Sequence, residues 1–128
     1  MVIAPPVGGL DRQRATRSTS YTPPDGGGWG LVPGWVSDPM FPVVVDSGTA
    51  LVLLGNGSAT ISVSVDGAWQ SARTLAIRVN GTTVATQSGG TTVSWSGSLS
   101  DGDRVELWAS RGNSGVTITA GWIDITPV

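Results

Sequence analysis

Few residues in this chain could carry chemistry. Asp101-Gly-Asp103 brings two carboxylates together, and calcium takes such oxygen donors in sets of roughly six to eight. No third and fourth carboxylate stands nearby, so the pair reads as turn chemistry and no metal is expected. Glycoside hydrolysis needs two acids facing each other across a cleft, whereas this chain holds one glutamate and scattered aspartates. Cysteine, histidine and lysine are absent. That removes disulfides, thiolate and imidazole metal sites, Ser-His-Asp and Cys-His catalysis, Schiff-base lysines and a phosphate-loop lysine. The inventory predicts a protein that is not an enzyme and uses no cofactor. Asn56-Gly-Ser58 and Asn80-Gly-Thr82 match glycosylation sequons, but both read as Asn-Gly turns.

Recognition by aromatic residues is the chemistry that remains. The chain carries six tryptophans. Trp95 and Trp122 fall inside predicted strands, where core or interface is the ordinary place for them. Trp108 has the opposite parity to Val105 and Leu107, which points it away from the core as a subunit contact or a ligand platform. Trp69, on a loop after Asp66-Gly67, is the second candidate platform. Trp29 and Trp35 lie in a Gly/Pro-rich segment with Tyr21 and Phe41. Local structure there cannot bury them, so they are expected to anchor it to a partner. Arg12, Arg14 and Arg17 in the same segment are expected to dock on acidic protein rather than on nucleic acid.

These residues sit on two unlike parts. Residues 1–42 hold seven of the eight prolines and the Gly26-Gly27-Gly28 run. Proline gives no donor to a sheet ladder, and it disfavours helix in the residue before it. The expectation is an extended, irregular attachment arm over 1–42 and a β head over 43–128. Charge divides the same way. Residues 1–20 carry three arginines against one aspartate, while the rest carries four arginines against eight acids.

From residue 43 onward, short β runs are separated by turn signals at the spacing of a sandwich or barrel. Strands are expected over 43–45, 50–54, 59–65, 74–79, 82–87, 91–96, 104–109 and within 116–125. Ile61, Val63 and Val65 alternate with Thr60, Ser62 and Ser64, giving one core face and one wet face. Asn80-Gly81 supplies the two positive-φ positions of a type I′ hairpin. In the last run Val116 and Ile118 have one parity and Ile123 and Ile125 the other, with Gly121 between. A bulge or a handover between two buried environments is expected there. A strand buried on both faces needs cover that a thin sandwich lacks. Leu51, Leu53, Trp122, Ile123 and Ile125 are therefore expected at an oligomer interface. The formal charge of −2 gives no general attraction to nucleic acid, and no apolar run is long enough for membrane insertion. The first ten residues lack the pattern of a signal peptide, so synthesis in a cytoplasm is expected.

Three segments resemble the tumour necrosis factor and complement globular-head superfamily of trimeric jelly rolls. They are the strand at 59–65 leading through Asp66-Gly67 to Leu75-Ala-Ile-Arg-Val-Asn-Gly, the stretch Leu99-Ser-Asp-Gly-Asp-Arg-Val-Glu-Leu, and the terminal Gly121-Trp122-Ile123. The resemblance spans roughly residues 48–128. It implies an all-β, antiparallel two-sheet jelly roll and a homotrimer. The Gly/Pro-rich leader and the Lys-free, Arg/Asp/Val/Thr-rich composition are similar in style to minor tail and capsid decoration proteins of actinobacterial tailed phages. That likeness implies a structural virion protein partnered by major capsid or tail proteins. The alternative is a carbohydrate- or receptor-binding module that meets host-surface glycan through Trp69 and Trp108.

Overall fold

The computed structural model describes residues 9–24, 28–67, 73–112 and 116–128, which form an all-β sandwich. The strands are β1 (Gln13–Arg17), β2 (Gly30–Leu31), β3 (Val36–Ser37), β4 (Val44–Asp46), β5 (Ala50–Val52), β6 (Gly57–Asp66), β7 (Arg73–Val79), β8 (Thr82–Ser88), β9 (Thr92–Leu99), β10 (Arg104–Arg111) and β11 (Ala120–Pro127). One sheet runs β3-β1-β11-β6-β9 and the other β4-β5-β10-β7-β8, with β2 also on β10. Every ladder is antiparallel. Ile61, Val63 and Val65 of β6 face Leu75 and Ile77 of β7 and Val105 and Leu107 of β10 across one core. Alternation at period two put these side chains on one face, as expected. Asn80 and Gly81 take φ of 51° and 82° in the β7–β8 turn, the two positive values that a type I′ connection requires.

The boundary expected at residue 42 is not a boundary of the fold. β1 lies between β3 and β11 in full register, from Gln13 opposite Ile125 to Arg17 opposite Gly121. Ala15, Val32 and Trp35 belong to the same core as Ile61 and Leu107. The prolines do not prevent this, because Pro23, Pro24, Pro33, Pro39 and Pro42 all fall in connections. The alternation in β1 is real but disguised, since its inward positions carry Gln13, Ala15 and Arg17, which are buried. Polar side chains at core positions hide the strand from a hydrophobic pattern.

Leu51, Leu53, Ile123 and Ile125 are also not available to another subunit. Each is at most 1% exposed within its own chain. The cover that a thin sandwich lacks is supplied by residues 9–24 and 28–42. Both faces of β11 are closed internally: Ile123 and Ile125 on the core, Asp124 beneath Arg12 and Arg14. The phase change is a handover. Ile118 bridges Tyr21, and from Ala120 onward the chain pairs with β6. The register stays continuous at Gly121, where a Cβ would come 2.5 Å from the Ser64 carbonyl oxygen. The irregularity in the fold lies instead between Ile77 and Arg78.

Candidate assembly face

The register of the five-stranded sheet sets its outward side chains in rows. Ser98 stands opposite Ser58, and Ser96 opposite Thr60 and then Thr126. Ser94 leads across Ser62 to Asp124 and Arg14, and Thr92 across Ser64 to Trp122 and Thr16. Outward positions 58–64 of β6 and 92–98 of β9 are therefore all Ser or Thr, eight hydroxyls, with the one outward charge of these strands, Asp66, at the end of β6. Thr60 and Ser96 join their hydroxyls at 2.7 Å. β9 is the last strand of its sheet and is eight residues long. It carries no charged residue and no proline, the usual devices that keep edge strands from pairing.

Beside the hydroxyl rows lies a charged and aromatic network. Arg12 grips Asp124 with two hydrogen bonds, Nε to Oδ1 at 3.0 Å and Nη2 to Oδ2 at 2.7 Å. That hydrogen bond is the main reason the Arg12 pKa is raised. The Arg12 guanidinium also lies 4.0 Å from the centre of the Phe41 ring. Arg14 reaches Asp38 at 3.6 Å and Asp124 at 3.8 Å and stacks 4.9 Å from the Trp122 ring. A guanidinium over an aromatic face satisfies both charge and apolar surface. Both arginines are held within the chain, Arg14 directly opposite Asp124 in the β1–β11 ladder and Arg12 just before β1.

The remaining residues expected to bind a partner are likewise spent inside the chain. Arg17 is 4% exposed and gives its protons to Pro33 O at 2.9 Å and Ile118 O at 3.1 Å. Burial lowers its pKa. Trp35 is in the core and donates Nε1–H to Val32 O at 2.9 Å. Tyr21 pairs through its backbone with Ile118, and burial of its ring raises the phenol pKa. Of the expected arm contacts, Trp29 alone remains exposed as a large apolar side chain. Arginines expected to seek an acidic partner have found Asp38 and Asp124 in their own fold.

Trp69 lies outside the described residues. Trp108 points outward, as its parity required, but it is not an open platform. Arg78 lies 4.1 Å from its ring centre, and its Nε1–H is donated to Glu106 at 3.1 Å. Trp95 is half-buried on the core side opposite Ile61 and lies across Gly97, where a Cβ would strike its ring. Asp101 accepts from Gly55 N at 2.8 Å, and Asp103 from Ser100 N and Asn80 Nδ2 at 2.8 and 3.0 Å. Both acids are turn acceptors here. Among the described residues no group of three or more acids could hold a metal ion.

Sequence reasoning missed Gln13, Arg73, Asp124 and the hydroxyl rows. Gln13 behaves as a strand partner, giving Nε2–H to Leu54 O and accepting from Leu54 N, both at 2.9 Å. Nothing in the type of an isolated glutamine announces that. The two runs were readable, since Ser or Thr fills one parity over 58–64 and over 92–98, but their adjacency in one sheet was not.

No protein-family model matches the chain, and no curated protein sequence does. Solved structures do match its fold. Eiger TNF from S. frugiperda is 10% identical at a TM-score of 0.60, covering 94% of this chain and 93% of that one. Rabbit GITRL is 20% identical at 0.51, covering 91% and 94%. Murine APRIL is 11% identical at 0.53, covering 91% and 99%. At these identities the likeness shows a TNF-like β-sandwich.

Proposed function

We propose that this chain is a non-enzymatic structural protein of a tailed-phage virion, a capsid decoration or minor tail protein that assembles as a homotrimer. The observation that carries the reading is the hydroxyl face of β6 and β9 beside an unprotected edge strand. A face of hydroxyls lets identical copies approach with little repulsion, and its hydroxyls exchange water for one another at little cost. The TNF-like sandwich and the resemblance seen in the sequence support a trimer. The Lys-free, Arg/Asp-rich composition supports the phage setting and synthesis in a host cytoplasm. Interface residues move from the core leucines and isoleucines to Ser62, Ser64, Ser94 and Ser96. The arm no longer serves as the tether, since residues 9–24 and 28–42 are built into the sandwich. The covered ring of Trp108 speaks against the carbohydrate alternative.

Native mass spectrometry tests the assembly. A trimer for the wild type and a folded monomer for Ser62→Arg/Ser94→Arg are expected, and a wild-type monomer at micromolar concentration would overturn it. Labelled antibody on purified particles tests the virion reading, with decoration of capsid or tail expected.

A further inference from the structure

The margin of the sandwich away from β9 has a different character. The large exposed apolar side chains among the described residues are Trp29, Val36, Met40, Val44, Leu54 and Val128. Four of them gather on this margin. Val36 is on β3, the last strand of one sheet, and Val44 is on β4, the last strand of the other. Met40 sits in the connection between them, and Leu54 follows β5. Val43 N donates to Ser37 Oγ at 3.0 Å and Trp35 N to Gly48 O at 3.0 Å, which holds the two edges side by side. Met40 is 79% exposed and Leu54 47%. A cleft of about 310 Å³ opens beside them, lined by Asp11, Arg12, Pro42, Leu54 and Gly55 among others. Single exposed apolar residues need no explanation, but four on one margin with a cleft mark a contact surface.

Charge decides the partner. Asp11, Asp38, Asp46 and Asp101 rim this margin. The arginines near them are already committed, Arg12 to Asp124, Arg14 to Asp38 and Arg104 to Asp46 at 2.9 Å. Asp11 has no ion pair among the described residues. Among the described residues, a second copy of this chain offers no uncommitted cation to Asp11. It has no lysine, and its other arginines are engaged as well: Arg17 and Arg73 are buried on carbonyls, Arg78 is on Trp108 and Thr83, and Arg111 is on Pro23 O. We infer that the β3–β4 margin, with the Leu54 cleft, docks an extended basic segment of a different protein, apolar side chains in the cleft and arginine or lysine against Asp11. Anionic membrane or nucleic acid would meet the wrong sign of charge.

The probe is a fluorescein-labelled peptide of alternating arginine and leucine, compared by anisotropy with one of alternating glutamate and leucine. The basic peptide is expected to bind at least about tenfold more tightly. Asp11→Arg should weaken it about tenfold at roughly 50 mM salt and far less at roughly 500 mM. Leu54→Asn should weaken it about tenfold at both, because an exposed side chain can change without unfolding the protein, while Trp108→Ala leaves binding unchanged. Equal binding of the two peptides, or full binding to Asp11→Arg and Leu54→Asn, overturns the inference. So does a Leu54→Asn variant that changes oligomeric mass while no peptide binds the wild type, which would make the margin a contact between copies.

Discussion

Arg17 and Arg73 hold consecutive carbonyls of one segment from different sheets. Arg17, on β1, gives Nη1–H to Ile118 O at 3.1 Å, and Arg73, on β7, gives Nη1–H to Thr117 O at 3.2 Å. Arg73 is 1% exposed and also reaches Val65 O at 2.8 Å and Gly90 O at 3.2 Å. Neither guanidinium has a carboxylate within ion-pair distance among the described residues. Burial lowers both pKa values, yet an arginine keeps its proton at any ordinary pH, so the clamp is permanent. It fixes the segment that hands the chain over to β11.

Arg73→Met keeps most of the buried stem and removes the donors. The stranded carbonyls cost more than the relief of burying a charge returns, so a loss of about 2–3 kcal/mol is expected in urea denaturation. Arg17→Met should act similarly. The double variant should lose less than the two losses added, because both arginines position one segment. Full additivity would mean that the two ends work independently.

Gly67 and Gly81 separate two reasons for glycine. Gly81 has φ of 82° with open space around a Cβ, so Gly81→Ala should cost about 1 kcal/mol through backbone conformation alone. Gly67 has φ of 155°, and a Cβ there would collide with the Thr117 carbonyl that Arg73 holds. Gly67→Ala should cost at least about 2 kcal/mol more than Gly81→Ala in the same thermal melts. Equal losses would show that the Thr117 segment gives way.

The contrast between β6 and β1 shows what the sequence could reveal. β6 alternates Ile and Val with Ser and Thr, so its strand, its core face and its wet face were all legible. β1 alternates as strictly, but Gln13 and Arg17 occupy core positions because their polar atoms meet Leu54, Pro33 and Ile118, which are far off in sequence. A polar side chain looks solvent-facing until its distant acceptor is known. The same blindness made Ile123 and Ile125 look like interface. The side chains that cover β11 belonged to a segment whose prolines had marked it as an arm. Arg12 and Arg14 were read as docking on the carboxylates of a partner, whereas the carboxylates they meet are Asp38 and Asp124 of their own chain.

Acid should weaken the contact at β4. Arg104 donates to Asp46, and this bond, then that of Ser47, lowers the Asp46 pKa below its ordinary value near 3.8. A carboxyl with a lowered folded pKa adds stability above its unfolded value and loses it as pH falls through the folded one. Wild type should therefore melt slightly above Asp46→Asn at pH 6, and the two should converge as pH falls through and below the ordinary carboxylate range. Both partners are exposed, so added salt should shrink the gap at pH 6. A gap that widened in acid would assign the effect to something other than this pair.

Truncation gives the plainest test of where the fold begins. If residues 1–36 were a tether, a chain starting at residue 37 would melt like the whole protein. The structure requires the opposite. That deletion removes β1, β2 and half of β3, takes Ala15, Val32 and Trp35 from the core, and uncovers Ile123 and Asp124 together. Losing Trp35 alone, which is 2% exposed and bonded to Val32 O, should cost about 3–5 kcal/mol in Trp35→Ala. A small domain holds only about 5–15 kcal/mol in all. The truncated chain should therefore show no cooperative unfolding by circular dichroism, whereas Trp29→Ala, at an exposed position, should melt within a few degrees of wild type. A truncated chain with a sharp thermal transition would restore the arm and place the fold's own boundary at β4.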